Sequence, residues 1–313
     1  MTGWVDTDAV VAGAAGPPQV RSGAFDRQAA LAALLRHRQA DGTIDTHAYK
    51  KWQGPHWTLH GLAQLGHPSG DESLRPMLEQ VYRWLFSPQH LRPPSTATLP
   101  GQTDRIRRCA SQEGVAIWYA VTLGLADNRT DELVSRLASW QWPDGGWNCD
   151  RRPQARTSSF QETLLPLRGL ARYATAGRDL SGQAQISRDR AAELLLSRRL
   201  LWRRHDGAPI LPDWGGNPLL IQYPVRFYDL LLALLVMTEV GKVRDPRCSD
   251  ALNLLEHKRL ADAGFPVELR TAVTSSRMIS RGTFANWGPA GRRHSNPLVT
   301  AEAEFVLQCA ARH

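Results

Sequence analysis

Apolar residues recur along this chain at intervals of three and four, the period of a helix with one buried face, and sustained period-two alternation does not appear. The pattern predicts an all-α protein. The helical stretches pair off. Residues 26–39 stop at Asp41-Gly42 and are followed by residues 56–65, which stop at Gly66-His67-Pro68. Residues 71–86 pair with 112–125 across a long proline-rich loop, 88–108. Later pairs are 130–140 with 158–173, 187–201 with 223–240, and 246–259 with 296–311. Related turns end the first helices: Asp41-Gly42, Asp144-Gly145, Asp206-Gly207 and Ala263-Gly264. Allowing one missing turn, they recur at roughly fifty to sixty residues, the range of helical-pair repeats. Five hairpins are visible. The second helix of each pair is the more apolar, as in residues 164–170 and 230–236, so it should be buried on more sides. An inner ring of helices inside an outer ring meets that requirement better than an open solenoid, although the pattern alone allows both.

Bulk properties narrow the picture. The chain has 313 residues, which suits one large repeat-built domain over residues 25–313. Residues 1–24, with a small-residue, loop-like stretch, read as a flexible arm. The formal charge of +8 comes from arginines spread along the chain, which favours an anionic partner without naming one. Cys109, Cys149, Cys248 and Cys309 are far apart and form no Cys-x-x-Cys pair, which speaks against a zinc ribbon and a disulfide scaffold. The longest apolar run, 230–237, is less than half of the roughly 20 residues a bilayer span needs. With no secretory signal pattern, the expected location is the cytoplasm. An apolar or anionic small molecule is the expected partner, nucleic acid is not expected, and composition says nothing of oligomeric state.

One segment points to a family. Gln141-Trp142-Pro143-Asp144-Gly145-Gly146-Trp147 places Gln, Gly and Trp at the spacing of the QW motif and resembles that motif in squalene and oxidosqualene cyclases. Looser echoes stand at residues 38–44 and 203–209. The chain thus resembles the superfamily of terpenoid cyclases and protein prenyltransferases over residues 26–311. The resemblance implies an α/α-toroid of about five to six hairpins, in which the Gln and Trp staple neighbouring outer helices. It also implies a central cavity for an isoprenoid or similar apolar molecule, with cyclisation or isomerisation as the chemistry. The segment that resembles the Asp-x-Asp-Asp-Thr acid of class II cyclases is Ser159-Phe160-Gln161-Glu162-Thr163. Gln161 falls where the acid should be, and Glu162 would be turned about 100° from it on a helix.

The starts of the predicted inner helices carry the candidate site, because helix N-termini favour anionic groups. Glu162, Glu113 and Asp229 are the candidate catalytic carboxylates. His56, Trp57, His60, Gln112, Phe160, Gln161, Tyr223, Arg226, Tyr228 and His294 are the candidate ligand-binding residues, with the aromatics able to face an apolar ligand or a carbocation. Simple capping accounts for some of these polar residues. No cofactor is expected. A divalent metal would find ligands in His56 and His60 with Glu113 or Cys109, or, by likeness to the prenyltransferase zinc site, in Cys149-Asp150 and His294. The loop Asp213-Trp214-Gly215-Gly216-Asn217 could arch over the mouth. Two other functions remain open: a non-catalytic toroid that binds a partner, and a glycan lyase or hydrolase using residues such as His56, Tyr223 and Arg226.

Overall fold

The computed structural model describes residues 24–92, 101–210, 217–224 and 228–311, with Pro18, Val20 and Leu99 besides. Most of the expected arm over residues 1–24, the candidate Arg226 and nearly all of the loop at 213–217 lie outside the described residues. In chain order the helices are α1 (Arg27–Leu34), α2 (Pro55–Gln64), α3 (Arg75–Leu85), α4 (Pro88–Leu91), α5 (Ala110–Thr122), α6 (Asn128–Trp140), α7 (Phe160–Thr175), α8 (Gln183–Ser197), α9 (Leu230–Glu239), α10 (Ser249–Glu256) and α11 (Pro297–Ala310). Among the described residues four two-residue strands accompany them: β1 (Gln222–Tyr223), β2 (Leu269–Arg270), β3 (Val273–Thr274) and β4 (Gly282–Thr283). With 47% of the chain helical and so little strand, the protein is all-α, as the periodicity predicts.

The chain forms two compact units. The first comprises Arg27–Leu194 with Ala272–Asn286. Within it α2 packs on α3 and α5, α6 on α5, and α5 on α7, so α5 touches helices on both sides of it in sequence. The cause is visible in burial. In α3 and α6 only one stripe is buried (Met77, Leu78, Val81, Tyr82, Leu85; Leu133, Val134, Leu137, Trp140), whereas α5 is buried from Glu113 to Val121. The α5–α7 pair is held unusually close by glycine. A Cβ on Gly114 would lie 2.5 Å from the Pro166 nitrogen, and one on Gly169 would lie 2.4 Å from the Gly114 carbonyl oxygen. In this unit β3 pairs in parallel with β4, Val273 opposite Gly282.

The second unit comprises Leu195–Thr271 together with the chain from Trp287 onward. Here α9, buried along Leu230–Thr238, packs on α10 and α11, and β1 pairs in parallel with β2, Gln222 opposite Leu269. The sequence places a helix from residue 223, but Tyr223 lies in β1 and α9 begins only at Leu230. Pro224 supplies the reason: it restricts Tyr223 to extended backbone, and the helix waits for the Asp229 cap, whose Oδ1 accepts the Leu232 N–H at 2.8 Å. The first helix likewise ends at Leu34 rather than Gln39, because the chain must turn to form the Arg38–Ile44 bridge.

The repeated turns are one structure. Gln39 N–H donates to Thr43 O at 2.8 Å, Trp142 N–H to Gly146 O at 2.8 Å and Leu260 N–H to Gly264 O at 2.9 Å. In the first unit Ser158 Oγ donates to Asp144 at 2.6 Å, and in the second Ser295 Oγ donates to Asp262 at 2.7 Å. Trp147 N–H reaches Thr163 Oγ1 at 3.3 Å, as Phe265 N–H reaches Thr300 Oγ1 at 2.9 Å. Ser159 N–H donates to Trp147 O at 2.9 Å, as Asn296 N–H does to Phe265 O at 2.8 Å. Residues 147, 159 and 163 therefore correspond to 265, 296 and 300. In the Gln141–Trp147 segment, Gln141 Nε2 donates to Gly145 O at 2.7 Å and to Ser187 O at 2.8 Å, and Trp147 Nε1 to Leu137 O at 2.9 Å. The turn thus ties the end of α6 to α8.

Candidate functional site

Two helix N-termini of the first unit, those of α5 and α7, meet at one place. Glu162, in the first turn of α7, accepts the Ser111 N–H of α5 on Oε2 at 2.9 Å. Its Oε1 lies 3.5 Å from Cys149 Sγ. Cys109, the N-cap residue of α5, brings a second thiol, and the three donor groups of Cys109, Cys149 and Glu162 all lie within 4.8 Å of one another. Tyr49, just before α2, is hydrogen-bonded to Gln112 of α5 and closes the group from the α2 side. The local sequence explains the arrangement: Ser159 caps α7 by accepting the Glu162 N–H at 3.0 Å, which fixes the first turn and turns Glu162 inward.

Electrostatics follow burial. Glu162 is 7% exposed, and burial pushes its carboxyl up to about 6, against the opposing Ser111 N–H. The Cys149 thiol is pushed up by its hydrogen bond with Cys109, by burial and by the negative Glu162 beside it. Burial likewise raises Tyr49 to about 12, so its phenol stays neutral.

Beside this cluster a cleft of about 400 Å³ opens, lined by residues that include His90, Arg108, Cys109, Gln112, Glu113, Trp140, Cys149 and Arg151. Glu113, 1% exposed, accepts from His90 Nε2 at 2.8 Å on Oε1, and Arg136 Nη1 stands 3.8 Å away. Glu113 Oε2 has no hydrogen-bond partner among the described residues. His90 is held in place from its other side by Trp84, ring centroids 5.1 Å apart. Arg108 lies 5.3 Å above the Trp140 ring and donates to His90 O at 2.7 Å and Leu91 O at 2.6 Å, so it locks α4 over α5 while keeping its charge at the cleft. Arg92, Arg107 and Arg151 add three more guanidinium groups to the lining.

An aromatic layer lies around His56. Its ring is 4.9 Å from Trp57, 5.6 Å from Trp84, 5.5 Å from Tyr49 and 5.5 Å from Tyr119, whose hydroxyl is 3.2 Å from Nδ1. Burial, then the nearby His60 and His90, lower its pKa to about 3, so the ring is neutral. His60 packs between Trp57 and Trp118, at centroid distances of 6.2 and 5.4 Å.

The sequence-predicted residues therefore divide between the two units. Glu162, Glu113 and Gln112 come together at the cleft and its floor, with His56, Trp57 and His60 in the aromatic layer. Phe160 and Gln161, both half-buried, open α7 next to Glu162. Tyr223, Tyr228, Asp229 and His294 belong to the second unit. There Tyr223 packs edge-on against Trp287 at 5.6 Å, the Tyr228 hydroxyl donates to Leu200 O at 2.8 Å, Asp229 caps α9, and His294 is exposed. Among the described residues the donors that gather as a metal could require are Cys109, Cys149 and Glu162; they include neither histidine of the His56/His60 pair and neither Asp150 nor His294. Sequence reasoning missed His90, Tyr49, Arg108 and Arg151. His90 lies in the stretch read as a proline-rich loop; its one local signal is Ser87-Pro88, the start of a short capped helix. Compared with known proteins, the chain matches no protein-family model, no curated protein and no solved structure.

Proposed function

We propose that the protein is a terpenoid-cyclase-like enzyme whose cleft takes an apolar small molecule with an anionic head and isomerises or cyclises it by proton transfer. One observation carries this reading: ionisable groups within hydrogen-bonding reach of each other, His90 and Glu113 at 2.8 Å, line a cleft of small-molecule size. A scaffold has no need of a buried carboxylate with an unpartnered oxygen, since such a group carries a desolvation cost. Glu113 Oε2 is the atom that takes or gives the proton, and His90 and Arg136 hold the carboxylate and share its charge. The arginines around the cleft attract a phosphate or carboxylate head. Trp140 offers the apolar tail a ring face. The alternation of singly and fully buried helices and the turn that ties α6 to α8 support the wider proposal of an α/α-toroid.

Incubation with farnesyl diphosphate, geranylgeranyl diphosphate or squalene, followed by extraction and mass spectrometry, tests the reading. The expected result is a cyclised or isomerised diphosphate from one of the two diphosphates, read as its alcohol after phosphatase treatment, or a new hydrocarbon or alcohol from squalene. Glu113→Gln should lower its formation about 100-fold or more while binding persists, the usual range for losing a positioned proton-transfer group. Absence of product with all three would remove the isoprenoid reading.

A further inference from the structure

The cluster behind the cleft has donors that the fold itself does not require. Because residues 147, 159 and 163 correspond to 265, 296 and 300, Cys149 corresponds to Val267 and Glu162 to Val299. Val267 is 2% exposed and Val299 fully buried, so the same turn and helix start are built elsewhere in this chain with plain apolar residues. A thiol and a carboxylate at those two positions add burial cost; Glu162 Oε2 offsets part of it by accepting the Ser111 N–H of α5, which leaves Oε1 and the thiol facing each other.

Their geometry is that of a ligand set. In a tetrahedral zinc site with Zn–S near 2.3 Å, neighbouring donor atoms lie about 3.5–3.8 Å apart. Cys149 Sγ and Glu162 Oε1 stand 3.5 Å apart, and all three donors fit within 4.8 Å, so a shift of roughly half an ångström per thiol completes the set. Glu162 Oε2 is anchored by the Ser111 N–H, which orients Oε1 toward the thiols in the manner of an outer-sphere partner. Cys109 is the N-cap residue of α5, and its side chain makes no capping hydrogen bond to the helix. Both cysteines also line the cleft, so an ion can enter from it and its remaining position faces it.

We propose that Cys109, Cys149 and Glu162 bind one thiophilic divalent cation, with zinc as the best match to two sulfurs and one carboxylate, and that the fourth position opens into the cleft. On binding, both thiols ionise and their protons pass to solvent. Three protein ligands with one open position is the form of a catalytic rather than a structural zinc site, and the open position can take water or the anionic head of a ligand. The site stands on these three side chains and does not depend on the isoprenoid reading, which can fail while the metal binds, or hold without it.

The test is metal content and spectroscopy of the full chain, purified and desalted in reducing buffer and then titrated with zinc or cobalt(II). One zinc per chain is expected, with a thiolate-to-cobalt charge-transfer band in the cobalt form. Cys149→Ser and Cys109→Ser should each weaken zinc binding at least tenfold and remove or shift that band. Cys149→Val and Glu162→Val, which copy the residues of the other repeat, should lose the metal while keeping the helical circular-dichroism spectrum and a cooperative melt. Absence of retained zinc in protein with free thiols would overturn the proposal. So would zinc affinity unchanged by both serine variants, or a Cys109–Cys149 disulfide that persists under the reducing conditions used.

Discussion

At the residue scale, a buried side chain's charge state is set more by where it lies than by what it is. His56 shows this most clearly. It is fully buried among Tyr49, Trp57, Trp84 and Tyr119, with His60 and His90 as its charged neighbours on acidification, and its pKa falls to about 3 from the ordinary 6.5. The unfolded chain therefore binds a proton at this residue between pH 6.5 and 3 that the folded chain refuses. Stability from this group is fully present above pH 6.5 and is lost as pH falls toward 3. Urea midpoints measured across that window should drop steadily for the wild type and less steeply for His56→Gln; equal slopes would show that the ring titrates freely. Identity alone does not reveal such a state. In the sequence His56 and His60 read as two metal-ligand candidates on one helical face, yet aromatic packing has made His56 a neutral ring held by the Tyr119 hydroxyl.

At the scale of elements, the helices themselves were legible because they follow from amphipathic period and from Asp-Gly turns, both local signals, but their partners were not: residues 130–140, expected to pair with 158–173, pack chiefly on α5. Residues 128–140 and 160–175 fold nearly where the period puts them. What was not legible is convergence. Cys109, Cys149 and Glu162 meet only because α5 and α7 lie close enough for Gly169 to face the Gly114 carbonyl, and no spacing in the sequence encodes that distance. Gly169→Ala should accordingly cost about 1–3 kcal/mol or more through overpacking, read as a lower urea midpoint at constant m-value. A variant as stable as the wild type would mean that the two helices can part without penalty. The Gln141 side chain makes two bonds to carbonyl oxygens, Gly145 O and Ser187 O. Gln141→Ala should lower stability by about 1–3 kcal/mol and raise hydrogen exchange at the end of α6 and in α8. Unchanged exchange there would show the staple to be idle.

At the scale of the whole molecule, the protein divides into two compact units that use the same turn and the same helix start but not the same chemistry. The second unit's copy is completed by Val267 and Val299, while the first carries Cys149 and Glu162 beside a cleft with His90, Glu113 and four arginines. The sequence reading spread its candidates over every inner-helix start, because each start is polar and helix starts must be. Only the fold separates Asp229, used as a cap, from Glu113, which lines the cleft and has a buried oxygen with no hydrogen-bond partner among the described residues. No helix among the described residues is long and apolar enough to cross a membrane.

The central claim is that the cleft of the first unit is where a small anionic, apolar-tailed molecule binds. Hydrogen–deuterium exchange of the full chain with and without farnesyl diphosphate tests this most directly. The account predicts slowed exchange in peptides covering residues 88–92, 107–113 and 140–151, reduced in Arg151→Ala and at high salt. Protection confined to other segments, or no change at ligand concentrations that saturate binding, would contradict it.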